Sequence, residues 1–242
     1  MKKVNIIMPV HNRWSHTEQS LNSLFEHTDP SLFSVCVIND GSDEETTANL
    51  SDMWNLSDPA FDFSLVHNNE NIGPGASRNV ICGVISKENR RAKYLYHSDN
   101  DVYFTEGWLE KLIEAYEIVE QNGIRLLGGG CHPYLQNNGS IELYIAGEHA
   151  VVGIKDAVSG YSQLMTWETW DKYGPFDETM RGAEKKIAGS EDWAFCQKIR
   201  EDGFEVGALY PEVVLHTGKT NTYGEPATGV ETFKDVEGVA IV

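Results

Sequence analysis

An α/β fold with a mainly parallel central sheet flanked by helices is predicted for this 242-residue chain by three observations. Short apolar runs alternate with longer amphipathic ones through the first hundred residues, the rhythm of β-α-β units. The second apolar run is nearly continuous, as a strand covered on both faces requires. Polar and glycine residues collect just after each of the first four runs, the edge at which open parallel sheets bind ligands.

Val4 to Pro9 is the first predicted strand. Pro9, His11, Asn12 and Arg13 cut the apolar stretch short, so Lys2-Lys3 and the apolar residues after them read as a strand rather than a signal peptide. A helix from Ser15 to His27 places Leu21, Leu24 and Phe25 on one face. Phe33 to Asn39 is the second strand, Asp43 to Asn55 a helix, and Phe61 to His67 the third strand. The helix from Pro74 to Ser86 has the clearest local signals. Gly73 precedes it, Pro74 suits a first turn, and Val80, Ile81, Val84 and Ile85 recur at helical spacing. Lys93 to His97 is the fourth strand.

Beyond Asp101 the rhythm changes. Glu106 to Gln121 is a long helix with Trp108, Leu109, Leu112, Ile113 and Tyr116 on its apolar side. Short strands are expected at Leu126 to Gly128, Ile141 to Ile145 and Val151 to Ile154. Helices are expected at Thr166 to Tyr173 and Glu191 to Glu201, then strands at Phe204 to Leu209 and Val213 to Leu215. The expected organisation is one domain over 1–217, its two parts meeting near residue 101. The Gly- and Thr-rich tail, 218–242, reads as a mobile segment or a lid.

Lys and Arg number 19 against 37 Asp and Glu, a formal charge of −18. Such a surface repels polyanions, which argues against nucleic acid and anionic lipid as partners. A small anion needs only a local arginine or a bridging divalent cation. Cys36, Cys82, Cys131 and Cys196 form no C-x-x-C pair and sit in apolar contexts, so they read as buried, reduced thiols. No apolar run reaches the length of an integral membrane segment. The expected compartment is cytoplasmic.

Chemistry gathers after the strands. Asp99-Asn100-Asp101 sets two carboxylates one residue apart, able to meet one Mg²⁺ or Mn²⁺ ion directly or through water, or simply to end a strand in an acidic turn. Gly41-Ser42 and Gly73-Pro74-Gly75 allow close backbone approach to a ligand, or are plain turns. Arg78 and Asn79, in the first turns of the following helix, face the crevice or serve a surface ion pair. Glu191-Asp192 opens a helix, where acidic residues suit the dipole; equally, one carboxylate at the crevice is a candidate general base. His216, after Val213-Val214-Leu215, is a metal ligand or a structural histidine. Gly182 to Gly189, carrying Lys185 and Lys186, is a closing loop or an exposed one. Trp167, Trp170 and Trp193 either stack on a ligand or pack in the core, with core packing expected for at least two.

Read in order, these segments resemble the family-2 inverting glycosyltransferases of the Rossmann-like GT-A fold. The matching pieces are Ile7-Met8-Pro9-Val10-His11-Asn12, Val37-Ile38-Asn39-Asp40-Gly41-Ser42 and Asn71-Ile72-Gly73-Pro74-Gly75-Ala76-Ser77-Arg78-Asn79. Ser98-Asp99-Asn100-Asp101, Gly174-Pro175-Phe176-Asp177-Glu178, Glu191-Asp192 with Arg200 and Gly203, and His216 complete the series. No piece is decisive alone; the order and spacing carry the match.

The resemblance implies a nucleotide-sugar donor, a glycan or other hydroxyl acceptor, and Mn²⁺ or Mg²⁺ as cofactor. About 1–101 is the nucleotide-binding part and about 102–217 the acceptor side. Pro9 and His11 line the nucleotide base, Asp40 accepts its ring N–H, and Arg78 contacts the nucleotide. Asp99 binds ribose or sugar, while Asp101 and His216 hold the metal. Asp192 is the base that deprotonates the acceptor, with Glu191 supporting the acceptor or donor sugar. The chain departs from the family pattern at Asn100, and again at Tyr161 to Thr166, which lacks the usual small, apolar and basic sequence and leaves acceptor and sugar unassigned. Two rivals remain: a sugar nucleotidyltransferase, which favours a glycine-rich basic loop that Met8 to Arg13 lacks, and a non-catalytic nucleotide-sugar or glycan-binding module, which needs no Glu191-Asp192.

Overall fold

The structure, a computed structural model, describes residues 2–130, 143–146, 150–179 and 191–218. Its elements in chain order are β1 (Val4–Val10), α1 (Trp14–Glu26), β2 (Phe33–Asp40), α2 (Glu44–Leu56), β3 (Asp62–Asn68), α3 (Pro74–Lys87), β4 (Tyr94–Ser98) and β5 (Val102–Phe104). Then come α4 (Trp108–Val119), β6 (Ile124–Gly128), β7 (Leu143–Ile145), β8 (Val151–Lys155), β9 (Ser162–Thr166), α5 (Trp167–Tyr173), α6 (Glu191–Glu201), β10 (Glu205–Tyr210) and β11 (Val214–His216).

Nine strands form one sheet in the order β3-β2-β1-β4-β9-β6-β10-β8-β7. β3, β2, β1 and β4 are mutually parallel, and β6 runs parallel to β10. Only β9 and β8 run against the others, each flanked by antiparallel neighbours. The mainly parallel α/β sheet read from the sequence is therefore the fold. Every residue of β1 and β2 is buried, because helices cover both faces.

Two apolar layers sandwich the sheet. One gathers Leu21 and Leu24 of α1 with Trp108, Leu112 and Tyr116 of α4. The other gathers Ile81 and Ile85 of α3 with Trp170 of α5 and Phe195 of α6. Trp108 anchors the first layer, its ring centroid 4.9 Å from Tyr96 and 4.5 Å from Phe104, with its indole N–H donating to Thr28 at 2.7 Å. Trp167 and Trp170 are core residues and Trp193 is half-buried, in line with the expectation for at least two of the three.

Two strands escape the sequence pattern. β5 has three residues and pairs with β11 in a separate two-stranded sheet. β9 reads Ser-Gln-Leu-Met-Thr, yet Ser162 and Gln163 are fully buried beside β4. Polar residues inside a strand erase the alternation on which its recognition depends. The expected strand at Ile141 to Ile145 is described only over β7. Cys131, the loop from Gly182 to Gly189 and the tail beyond residue 218 lie outside the described residues. Cys36, Cys82 and Cys196 are buried free thiols, and burial pushes the Cys36 thiol up to about 12.

The chain winds from β1 outward to β3, then returns to place β4 on the other side of β1. That reversal is a topological switch point, and open parallel sheets bind ligands beyond the carboxyl ends of the strands at such a point.

Candidate active site at the switch point

The loop after β1 turns sharply. Asn12 and Arg13 both adopt left-handed backbone, with φ of 58° and 62°. That conformation is tolerated by asparagine but costs a residue such as arginine roughly 1 kcal/mol or more. Hydrogen bonds hold it in place. The Asn12 N–H donates to Ser42 Oγ at 3.0 Å, its side-chain oxygen accepts the Asp43 N–H at 2.8 Å, and its carbonyl accepts from Asn100 at 3.4 Å. One asparagine thus ties together the loops after β1, β2 and β4.

Asp40, 2 % exposed, organises the neighbouring glycine loop. Its carboxylate accepts the backbone N–H groups of Ile72 and Gly73 and the Asn68 amide, each at 2.9 Å. Gly41, at φ +63°, is required there: a Cβ would lie 2.5 Å from the Asn71 nitrogen. His11 bonds through Nδ1 to the Asp40 carbonyl at 2.9 Å. Pro9 is buried within β1 opposite Ile38, so His11 and Asn12 are the residues that emerge from the strand end.

Arg78 is not on the surface. It is 1 % exposed on the first turns of α3, where Nη2 meets the Asp99 carboxylate and donates to the Gly160 carbonyl at 3.2 Å. Nη1 stands 3.7 Å from Glu191, and the guanidinium lies 5.8 Å from the Phe176 ring centroid. Asn79 fixes that ring, accepting the Phe176 N–H at 2.9 Å and donating to its carbonyl at 3.0 Å. Behind Arg78, His97 is wholly buried; desolvation first, then the arginine's charge, hold its pKa well below the usual range and keep it neutral.

Asp192, at the start of α6, accepts the Gly160 N–H at 3.0 Å through Oδ2 and its own helix's Trp193 N–H at 2.8 Å through Oδ1. Glu191 sits against Gly75, where an added Cβ would come 3.0 Å from its Cγ. Burial raises the Glu191 pKa, with Arg78 opposing.

On the other side of Asp99, Asp101 is 6 % exposed. It contacts Arg13 Nη1 at 2.8 Å through Oδ2 and His216 Nε2 at 3.3 Å through Oδ1. Burial disfavours its charge, but His216 and Arg13 outweigh burial and hold the Asp101 pKa below the ordinary range. His216 moves the other way: burial lowers its pKa, yet the Asp101 bond prevails and raises it. The Tyr161 ring lies 4.9 Å from the imidazole, and Thr217 donates to the Asp101 carbonyl through its N–H at 2.8 Å and its hydroxyl at 2.9 Å.

Asp99 joins the two clusters. Desolvation pushes its pKa up against the pull of Arg78, and it feels the charges of Asp101, His216 and Asp192. Asp99 thus lies within electrostatic reach of both the candidate base and the candidate metal ligands. A groove of about 350 Å³ between α1 and α2, lined by Trp14, Phe25, Met53 and Phe61, contains none of these groups.

Donor chemistry supports a divalent ion beside Asp101. Two adjacent ligands of an octahedral Mg²⁺ or Mn²⁺ ion, each about 2.1 Å away, stand roughly 3 Å apart. Asp101 Oδ1 and His216 Nε2 are separated by 3.3 Å. Among the described residues no group of three His, Cys, Asp or Glu is placed to hold a metal. The protein thus offers a pair, leaving the other positions to phosphate oxygens and water, as is usual for these ions.

Sequence reasoning missed Arg13, Gly160 and Gly218. A left-handed arginine has no local signature, and Gly160 and Gly218 acquire their importance only through distant partners.

The sequence profile of glycosyl transferase family 2 matches residues 5–139, more than half of the chain. No curated protein matches the sequence significantly. Among solved structures, the fold is similar to that of the mannosyltransferase PcManGT from Pyrobaculum calidifontis in complex with GDP-Man and Mn²⁺ (TM-score 0.63, 15 % identity, 91 % of this chain and 58 % of that one). It is similar also to S. aureus TarS 1-349 (TM-score 0.62, 17 % identity, 89 % and 60 %). A third is GalNAc-T7 with UDP, GalNAc and Mn²⁺ (TM-score 0.64, 13 % identity, 89 % and 44 %). The chain spans about three fifths or less of the length of these proteins. Among the described residues, no helix is long and apolar enough to cross a membrane.

Proposed function

The chain belongs to glycosyl transferase family 2, and on that premise we propose that it transfers a sugar from a nucleotide-sugar donor, with UDP-sugars favoured, to a hydroxyl of a glycan or other acceptor. The transfer inverts the anomeric carbon. The observation that carries this reading is Asp99, paired with Arg78 and within electrostatic reach of Asp192 and of the Asp101–His216 pair.

The nucleotide part spans about 1–101 and the acceptor side about 102–217. His11, emerging from β1 just beyond the buried Pro9, and the Asp40-organised glycine loop form the base side, with Asp40 keeping acceptor capacity on Oδ2, which takes one N–H. Arg78 holds Asp99 toward the donor's ribose or sugar. Asp101 and His216 hold Mn²⁺ or Mg²⁺, which when bound offsets charge on the departing diphosphate. Mn²⁺ in the complexes of PcManGT and GalNAc-T7 supports that cofactor.

Asp192 is the general base. Its two backbone hydrogen bonds fix the carboxylate's orientation. As the acceptor oxygen bonds to the anomeric carbon, the carbon–phosphate-oxygen bond breaks, the nucleoside diphosphate takes that electron pair, and the hydroxyl proton passes to Asp192. Glu191, beside Arg78, orients the sugar.

Thermal-shift screening of nucleotide sugars with and without Mn²⁺ tests the reading, since a bound ligand raises apparent stability by mass action. One sugar nucleotide that stabilises the protein with Mn²⁺ and is consumed with release of nucleoside diphosphate is expected. Pyrophosphate release from a nucleoside triphosphate points instead to a nucleotidyltransferase, and binding without turnover to a non-catalytic module.

A further inference from the structure

The strained turn after β1 delivers a cation to the carboxylate proposed to bind the metal. Arg13 is the residue that spends a left-handed backbone on this contact, and its guanidinium sits 2.8 Å from Asp101 Oδ2 while His216 takes Oδ1. The pair is nearly out of solvent, with side-chain exposures of 17 % and 9 %. The backbone at Gly218 closes over it: a Cβ there would lie 2.1 Å from Asp101 Oδ2 and 3.1 Å from Arg13 Nη2. A divalent ion beside that carboxylate meets a cation already in place. Two positive charges on one largely buried carboxylate repel each other.

Resting on the assignment of Asp101 as a metal ligand, we infer that Arg13 is an exchangeable counter-ion: it occupies Asp101 in the ligand-free enzyme and is displaced when the divalent cation binds. Arg13 is a positioning residue in this scheme. It neutralises Asp101 before the donor arrives and keeps the bare metal site weak. Only the fraction of molecules with Arg13 displaced accepts the ion, so the apparent metal affinity is reduced by that fraction. Once displaced, the guanidinium is left beside a crevice that receives an anionic diphosphate, which favours exchange when metal and donor arrive together.

The test is calorimetric titration of Mn²⁺ alone into the full chain and its Arg13→Asn and Arg13→Lys variants. Asparagine tolerates the left-handed turn; lysine keeps the charge but loses the planar fork. Circular dichroism melts establish folding, and Arg13→Lys serves if Arg13→Asn fails to fold. Arg13→Asn is expected to bind Mn²⁺ about fivefold or more tightly than wild type, with Arg13→Lys in between. Removing a nearby charge also strengthens metal binding, so a second readout is needed. Titrating wild type with diamagnetic Mg²⁺ is expected to shift the Arg13 Nε–H NMR signal as the ion pair opens. Unchanged or weaker Mn²⁺ binding in the variants, or an unmoved Arg13 signal at saturating Mg²⁺, overturns the exchange alone, provided that wild type binds Mn²⁺ with UDP. If wild type binds neither Mn²⁺ nor Mn²⁺ with UDP, the metal assignment falls and the exchange with it.

Discussion

Arg78 and Asp192 grip the two polar ends of one residue: Arg78 donates to the Gly160 carbonyl at 3.2 Å, and Asp192 accepts the Gly160 N–H at 3.0 Å. These side chains come from α3 and α6, more than a hundred residues apart. Through Gly160 the orientation of the proposed base is coupled to the arginine that holds Asp99.

Asp101→Ala removes one of the two protein ligands proposed for the metal. Titrating UDP with and without Mn²⁺ is expected to show metal-enhanced binding in wild type and little enhancement in the variant, a loss on the scale of about tenfold or more in affinity. Undiminished metal dependence counts against the assignment.

Arg78→Met keeps the bulk of the side chain and strands Asp99 and Glu191 without their cation. Removing one member of a buried ion pair costs about 3–5 kcal/mol, and the partial exposure of Asp99 places this case near the lower end. Urea unfolding measures it. A loss under about 1 kcal/mol makes Arg78 incidental to the architecture.

Trp108→Ala opens a hole in the layer under α1 and α4 and leaves Thr28 without its indole partner. A loss of about 3–5 kcal/mol is expected, the range for deleting a buried large aromatic, read by denaturant unfolding. An unchanged midpoint means that the layer repacks without it.

Glu212 gives stability a pH signature of its own. Burial lifts its pKa from the ordinary 4.5 to about 7. The folded state therefore holds the proton more tightly than the unfolded chain. The resulting stability is fully present below about pH 4.5 and is lost as pH rises through about 7. Relative to wild type, Glu212→Gln is expected to be stabilised at pH 8, with the advantage fading as pH falls toward 4.5. Parallel urea melts at four pH values measure the difference; a constant offset across that range contradicts it.

Much of this architecture was legible in the chain, and the reasons differ by element. β1, β2 and β4 were readable because burial on both faces demands apolar runs, and α3 because Gly73 and Pro74 mark its start. The places of Asp40, Asp99 and Asp101 at the carboxyl ends of β2 and β4 were readable from the apolar runs before them, although the sequence equally allowed a plain acidic turn at Asp99-Asn100-Asp101. Arg78 was ambiguous: sequence does not distinguish a surface ion pair from a guanidinium 1 % exposed against Asp99. β9 was hidden by its buried Ser162 and Gln163, and Arg13 by a backbone conformation that local composition does not announce. What was missed depends on contacts between residues far apart in sequence.

The sharpest test is Asp192→Asn, assayed for nucleotide binding by calorimetry and for transfer with the donor identified by screening. Nearly intact nucleotide affinity with transfer reduced at least about a hundredfold is the predicted result, the usual lower scale for a lost general base. Near-normal turnover contradicts the account, because no carboxylate at the head of α6 is then required to take the acceptor's proton.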